Sequence, residues 1–214
     1  MKKLQLKYGD LYNERNVILS ATHTHSAVGG QSHYALYDIT ILGFIEQAYD
    51  AQVDGIVASI EKAHNDLKPG YILVNRGELT NASYNRSEEA YNNNPETERL
   101  KYGSNIEKPM TVLKIVQEGD NEVGMLNWFA THPNAMGKDH QVLSGDNKGH
   151  ASYLFEKGLK GTTYQSNHDF VAAFAISNAG DMSPNVNPDS EGRGPTANRF
   201  ENVRIIGERQ YEKA

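Results

Sequence analysis

Two histidines two positions apart, His23 and His25, lie in Thr22-His23-Thr24-His25-Ser26, and a third, His132, follows Trp128-Phe129-Ala130-Thr131. Neutral imidazole is an ordinary zinc ligand, and a catalytic zinc takes three protein ligands plus a water whose pKa falls to roughly 7. His23 and His132 are each reached from an apolar run through Ala-Thr, which puts both at the carboxyl ends of expected strands, where α/β sheets bind ligands. His25 shares a face with His23 if the backbone stays extended, so one ring could ligate while the other moves protons. The same pattern also fits hydrogen-bonded strand-end histidines with no metal, and spacing leaves both readings open. Ser183, in Gly180-Asp181-Met182-Ser183-Pro184-Asn185, could present a hydroxyl to the same cleft or simply belong to a turn, whose favoured residues these are. Arg86, in a polar stretch, could meet an oxyanion or carboxylate, or remain solvated. The other histidines, His33, His64, His140, His150 and His168, have no partner at useful spacing and read as solvated.

The elements that must carry these residues follow from hydrophobic period. Asn16 to Ala21 reads as a short buried strand leading to His23. From Phe44 to Leu67 apolar residues recur at helical spacing until Lys68-Pro69-Gly70 stops them. Tyr71 to Leu79 reads as a strand. Asn81 to Tyr102, dense in Asn, Glu and Tyr, reads as a long loop of the kind that lines sites. Met110 to Gln117 and Glu122 to Ala130 flank the polar turn Glu118–Asn121 as a β-hairpin whose second strand delivers His132. Asp146 stands where an N-cap belongs, for a helix to about Gly158, with a Gly/Thr/Ser-rich connector to Asp169 after it. Phe170 to Ser177 is a further strand, ending in the turn that holds Ser183, and a last helix begins near Glu201. Strands alternating with helices beside a hairpin predict an α/β fold, a mixed β-sheet with packed helices.

Composition bounds the rest. The chain has 214 residues, 38% hydrophobic and 22% charged, and a mean hydropathy of -0.64. It is polar for a globular protein but too patterned for disorder. The longest apolar run, Phe170 to Ile176, is far below the ~20 residues that cross a bilayer, so no transmembrane segment is expected. Met1 to Lys7 leads into no apolar stretch, so no signal peptide is read in this chain. With a net charge of -6 and scattered basic residues, nucleic acid is not expected as a partner. Cysteine is absent, so a transition metal would have to use His, Asp, Glu or Tyr.

Several segments together resemble the neutral ceramidases. Thr22–Ser26 with Gly29-Gly30 resembles the family's zinc-binding segment. Asn85-Arg86-Ser87, with Ala90-Tyr91 and Asn94-Pro95, resembles its Asn-Arg-Ser loop, and Asn127–Ala130 leading to His132 resembles its second metal strand. Ser144-Gly145-Asp146-Asn147-Lys148-Gly149 matches a further segment. Phe170–Phe174 running into Ser177-Asn178, Gly180-Asp181 and Ser183-Pro184-Asn185 resembles the segment of the proposed nucleophile, and Ile205-Ile206-Gly207 with Arg209-Gln210 also fits. The resemblance runs in order from about Asn16 onward. It implies that His23 and His132 bind Zn2+, that His25 helps proton transfer, that Arg86 assists at the substrate and that Ser183 is the proposed nucleophile. The implied reaction is hydrolysis of the linear amide C–N bond of ceramide (N-acylsphingosine) to sphingosine and a fatty acid, with the lipid met at a membrane surface and the enzyme secreted or extracellular.

Departures from the pattern carry their own expectations. Only a short lead precedes His23, and the resemblance places a Glu and a Tyr zinc ligand, and an immunoglobulin-like domain, beyond Ala214. Ala27-Val28 and Glu88 stand where Gly-Pro and Pro are usual, and the connector before Asp169 is short. Residues 1–214 are therefore expected to be an incomplete catalytic domain, with Asp146 or Asp181 the internal carboxylates that could complete a zinc sphere. The alternatives are a catalytically inactive fragment acting as a binding or interaction module, and another metallohydrolase built on His-x-His and Asp-rich turns.

Overall fold

The computed structural model describes residues 1–137, 140–160, 170–189 and 194–214. The expected connector before Asp169, and His168 with it, lie almost wholly outside the described residues. The chain divides into two units, Met1–Ser20 with Val28–Pro69, and Ala21–Ala27 with Gly70–Ala214.

The first unit holds helices α1 (Lys2–Tyr8), α2 (Ala35–Asp38) and α3 (Glu46–Asn65). The period from Phe44 is realised as α3, which buries none of its residues. It is tied to α1 at its surface by Lys3–Asp54 and by Lys7–Glu61 at 2.8 Å. His64 accepts or donates at 2.9 Å with the Tyr12 hydroxyl and packs at 4.5 Å against the Tyr8 ring, so it is not the solvated residue its spacing suggested. His33 is exposed, as its spacing suggested, with its ring stacked on Phe44 at 3.9 Å. The strand expected at Asn16–Ala21 does not form: Ile18 is 89% exposed and Leu19 69%. Asn13 and Asn16 side chains take the neighbouring backbone groups in local turns, the competition by which short polar side chains displace a ladder.

The second unit is the expected mixed sheet with packed helices. Its strands are β1 (Gly70–Glu78), β3 (Pro109–Gln117), β4 (Asn121–Phe129) and β5 (Val171–Ile176), in the order β1-β3-β4-β5. The first two pairings are antiparallel and β4–β5 is parallel, reached through helix α6 (Asp146–Lys160) as a parallel pair requires. The β3–β4 turn closes through positive φ at Gly119 and Asp120. The polar stretch expected as one loop instead folds into β2 (Tyr84–Asn85), α4 (Glu88–Asn92) and α5 (Glu96–Arg99). A two-residue strand β6 (Met182–Ser183) pairs antiparallel with β2, and helix α7 (Arg199–Lys213) ends the chain. Its N-cap is Asn198, whose side chain accepts from Glu201 N.

One face of the sheet carries the core. Met125, Ala172 and Phe174 pack with Ala151, Phe155, Phe170 and Tyr211 of and around α6 and α7, while Met110 and Phe129 pack with Leu79, Ala82 and Ile206. A third cluster, Ala130, Ala179 and Met182, lies beyond the carboxyl ends of β4 and β5. β1 is an edge strand, with Ile72 and Val74 exposed. No described helix is long and apolar enough to cross a membrane.

α6 and α7 approach so closely at Gly207 that a Cβ there would meet His150 Cβ at 2.9 Å and the Asn147 carbonyl oxygen at 3.0 Å. Gly207→Ala is expected to destabilise the chain by roughly 1–3 kcal/mol through overpacking, read as a lower urea midpoint with unchanged slope. His150 is also not solvated: its Nε2 is buried without a partner, and burial holds its imidazole below the ordinary value, with Glu208 opposing and Arg204 assisting. Unfolded His150 takes up its proton near ~6.5, before the folded chain does. Stability present above that pH is thus lost as pH falls toward the depressed folded value. Thermal midpoints measured from pH 7 to 5 should fall less in His150→Gln than in the unsubstituted chain; equal falls would reject this assignment.

Candidate metal and hydrolytic site

His132 comes three residues after β4 ends, as the hairpin predicted. Thr131 Oγ1 donates to the Ala82 carbonyl at 2.9 Å, which anchors the chain just before it. The Met182 carbonyl accepts twice from His132, from its backbone N–H at 2.9 Å and from ring Nδ1 at 2.8 Å. A carbonyl only accepts, so Nδ1 carries the proton and Nε2 keeps its lone pair. His132 is buried. Burial lowers its pKa, against the pull of the Met182 carbonyl and of Asp181 and with help from the Arg86 guanidinium and the neighbouring His23 ring. The ring is held as neutral imidazole in one tautomer, the form a metal ligand needs.

The segment Ala21–Ala27 brings the other two rings to it. Ala21 still accepts one backbone bond from Ile176 at the end of β5, and His25 N donates to the Pro133 carbonyl at 3.1 Å. Thr24 N donates to Thr22 Oγ1 at 3.3 Å and Ser26 N to Thr24 Oγ1 at 3.2 Å, so the threonines and serine of the motif wrap its own backbone. His23 has φ 65, left-handed for a residue with a Cβ, a conformation that costs of order 1–3 kcal/mol and persists where surroundings enforce it. The extended geometry expected to align His23 and His25 is thus broken, yet their ring centroids lie 5.2 Å apart, with His132 at 5.0 Å from His23 and 5.8 Å from His25.

Ligand nitrogens of all three rings fall within 4.8 Å of one another. Such a group could hold a metal ion, and three nitrogens would leave the open fourth position of a catalytic zinc site. The residues fit the ion. Asp146 and Asp181 do not join this group among the described residues: the Asp146 carboxylate accepts from Ala135, Met136 and Asn147 N–H groups, and Asp181 pairs with Arg86.

Arg86 and Ser183 are brought together by β2 and β6. Tyr84 pairs with Ser183 and Asn85 with Met182, and Arg86 N donates to the Asp181 carbonyl at 3.1 Å. Arg86 Nε donates to Asp181 Oδ1 at 3.1 Å. Hydrogen bonds from Ser87 and then Arg86 hold the Asp181 carboxyl below its usual range. Ser183 is buried, its Oγ accepting from Asn185 N at 3.2 Å. It follows directly the carbonyl that fixes His132. His140, expected as solvated, packs its ring 4.9 Å from Phe200.

Sequence reasoning missed the part of Asp181 in holding Arg86, and the contacts of Ser144 to Lys148 behind the histidines. The recurrence of Asp in Gly-Asp turns, Gly145-Asp146 and Gly180-Asp181, was the available signal.

Comparison with known proteins agrees along the whole chain. The family described as neutral/alkaline non-lysosomal ceramidase, N-terminal, matches residues 1–214. The neutral ceramidase of Pseudomonas aeruginosa is 44% identical over 214 residues, covering 100% of this chain and 31% of that protein. Neutral ceramidase B of Dictyostelium discoideum is 42% identical, covering 96% and 32%, and the neutral ceramidase of Mycobacterium tuberculosis is 40% identical, covering 100% and 34%. Among solved structures, a ceramidase complexed with C2 superposes with a TM-score of 0.87 at 45% identity. The crystal structure of the P. aeruginosa neutral ceramidase gives 0.85 at 44%; each covers 100% of this chain and 32% of the solved one. The chain thus spans about a third of the length of these relatives, and it belongs to the neutral/alkaline non-lysosomal ceramidase family.

Proposed function

We propose that this chain carries the histidine-bearing part of a zinc amidase site that hydrolyses ceramide to sphingosine and a fatty acid. The observation that supports it most is the convergence of His23, His25 and His132, with His132 fixed as neutral imidazole by the Met182 carbonyl. His23 and His132 would hold the zinc, which when bound supplies polarisation of the amide carbonyl or a more acidic water.

The chain's own residues then have separable tasks. His25, exposed beside His23, donates the proton that the departing sphingosine nitrogen needs when the C–N bond breaks, since an amine anion is too basic to leave. Arg86, its Nε committed to Asp181, directs its guanidinium at the substrate oxygen. Ser183 or a water supplies the oxygen that bonds to the carbonyl carbon; a serine in that role must lose its proton to a neighbouring base, and among the described residues no imidazole or carboxylate is hydrogen-bonded to its Oγ. Water as the attacking group therefore fits this geometry better. The setting we propose is extracellular, with the two-chain lipid taken from a membrane surface.

Coverage of about a third of each relative supports a second reading: residues 1–214 are one portion of the catalytic domain, further zinc ligands and an immunoglobulin-like domain belong to other parts of such proteins, and the chain alone acts as a docking module.

Zinc titration of the full chain, with ceramide turnover measured alongside, tests both. Zinc should bind near one equivalent, and His23→Ala and His132→Ala should each weaken it by at least ~10-fold. Absence of binding in the folded chain rejects the metal site. Binding without turnover, restored when the remaining polypeptide of a relative is added, selects the second reading.

A further inference from the structure

Ser144 to Lys148 matched a family segment, yet the proposed chemistry uses none of these residues. Each of four of them grips a different point of the backbone that bears the histidines. The Ser144 carbonyl accepts from Thr24 Oγ1 at 2.6 Å and its N–H donates to the Ser26 carbonyl at 2.9 Å, bracketing His25. The Asp146 carboxylate accepts from Ala135 N at 3.3 Å and Met136 N at 2.8 Å. Asn147 Nδ2 donates to the His132 carbonyl at 3.1 Å, and Lys148 Nζ donates to the Phe129 carbonyl at 2.9 Å. Gln210 of α7 closes the set, its Nε2 donating to Asn147 Oδ1 at 3.0 Å and its Oε1 accepting from Lys148 Nζ at 2.7 Å.

We propose that Ser144–Lys148 is the positioning device that sets the spacing of the three imidazoles, with Asn147 as its central positioning residue. This rests on the reading of those imidazoles as a metal site.

Direction and burial carry the argument. The His132 carbonyl can only accept, so Asn147 must give it Nδ2 and keep Oδ1 for Gln210, which must then turn Oε1 to Lys148. Both amides, Asn147 and Gln210, therefore have one permitted orientation, dictated from the His132 end. Asn147, Lys148 and Gln210 are fully buried and Asp146 nearly so. A polar set of this kind gives little stability that apolar side chains of similar volume would not, and its best-attested use is to fix one arrangement. Each of the two segments it joins holds a left-handed residue, His23 at φ 65 and Asp146 at φ 52.

Asn147→Asp keeps the shape and the acceptor for Gln210 but sets a carboxylate oxygen against the His132 carbonyl. Gln210→Glu keeps the acceptor for Lys148, adds a charge partner to it, and removes the Nε2 donor to Asn147 Oδ1 and to the Ile206 carbonyl. In 15N-labelled, metal-free full chain, we expect Asn147→Asp to shift the His132 ring signals away from the Nδ1-protonated tautomer and to speed exchange of its amide. Zinc affinity should fall about 10- to 100-fold, with an altered cobalt absorption spectrum. Gln210→Glu should lose affinity less, at an equal or higher thermal midpoint, a split that a merely structural role would not give. Unchanged His132 signals and unchanged affinity in both variants would overturn the proposal, whatever their stability. If the unsubstituted chain binds neither metal while Asn147→Asp still disturbs His132, the metal reading fails and the positioning role stands.

Discussion

The Met182 carbonyl accepts both N–H groups of His132, and much of the site depends on that one acceptor. It fixes which ring nitrogen is free, and it locks the end of β4 to β6. β6 in turn exists only through its two-residue pairing with β2, so the loop carrying Arg86 and the turn carrying Ser183 are placed by the same contact. A backbone acceptor suits this task because its position is set by the strand pairing and not by a rotamer, and because it stays an acceptor at every pH. Beneath it, Ala130, Ala179 and Met182 supply the apolar floor that keeps water from competing.

The polar groups behind the site follow a different logic from the core under the sheet. Met125, Phe170 and Phe174 contribute by area removed from water, for which shape matters and direction does not. Asn147, Lys148 and Gln210 are equally buried, but a group of this type is favourable only when every donor finds its acceptor. Burial pushes the Lys148 ammonium well below its ordinary value, although its Nζ donates to the Phe129 carbonyl and to Gln210 Oε1. The structure spends stability there and recovers a defined backbone path from Phe129 to Met136. The Gly207 contact belongs to the same economy of space: without it, α7 could not bring Gln210 to Asn147.

The sheet is asymmetric in a way that follows from its order. Helices pack one face, whereas β1 stands at an edge with its apolar residues Ile72 and Val74 exposed. Family membership is plain across residues 1–214, while these residues span about a third of the relatives they match.

By itself the sequence determined the elements whose signals are local. The period from Phe44 produced α3, the apolar runs flanking Glu118–Asn121 produced the β3–β4 hairpin, and the last helix, expected near Glu201, forms as α7. The same local pattern put His132 just past a strand end, and the motif Thr22–Ser26 marked His23 and His25. Tertiary structure decided everything that needed a partner distant in the chain. Asn16–Ala21 had a strand's composition, yet only Ala21 meets the sheet, through one backbone bond from Ile176. His23 and His25 came together through a left-handed backbone, not through the extended one their spacing suggests. His64, His140 and His150 read as solvated because aromatic and helix–helix packing is invisible to spacing. Arg86 and Asp181, or Asn147 and Gln210, lie too far apart in sequence for any periodicity to connect them. A hydrogen bond depends on distance and direction in space, and only the folded chain supplies both.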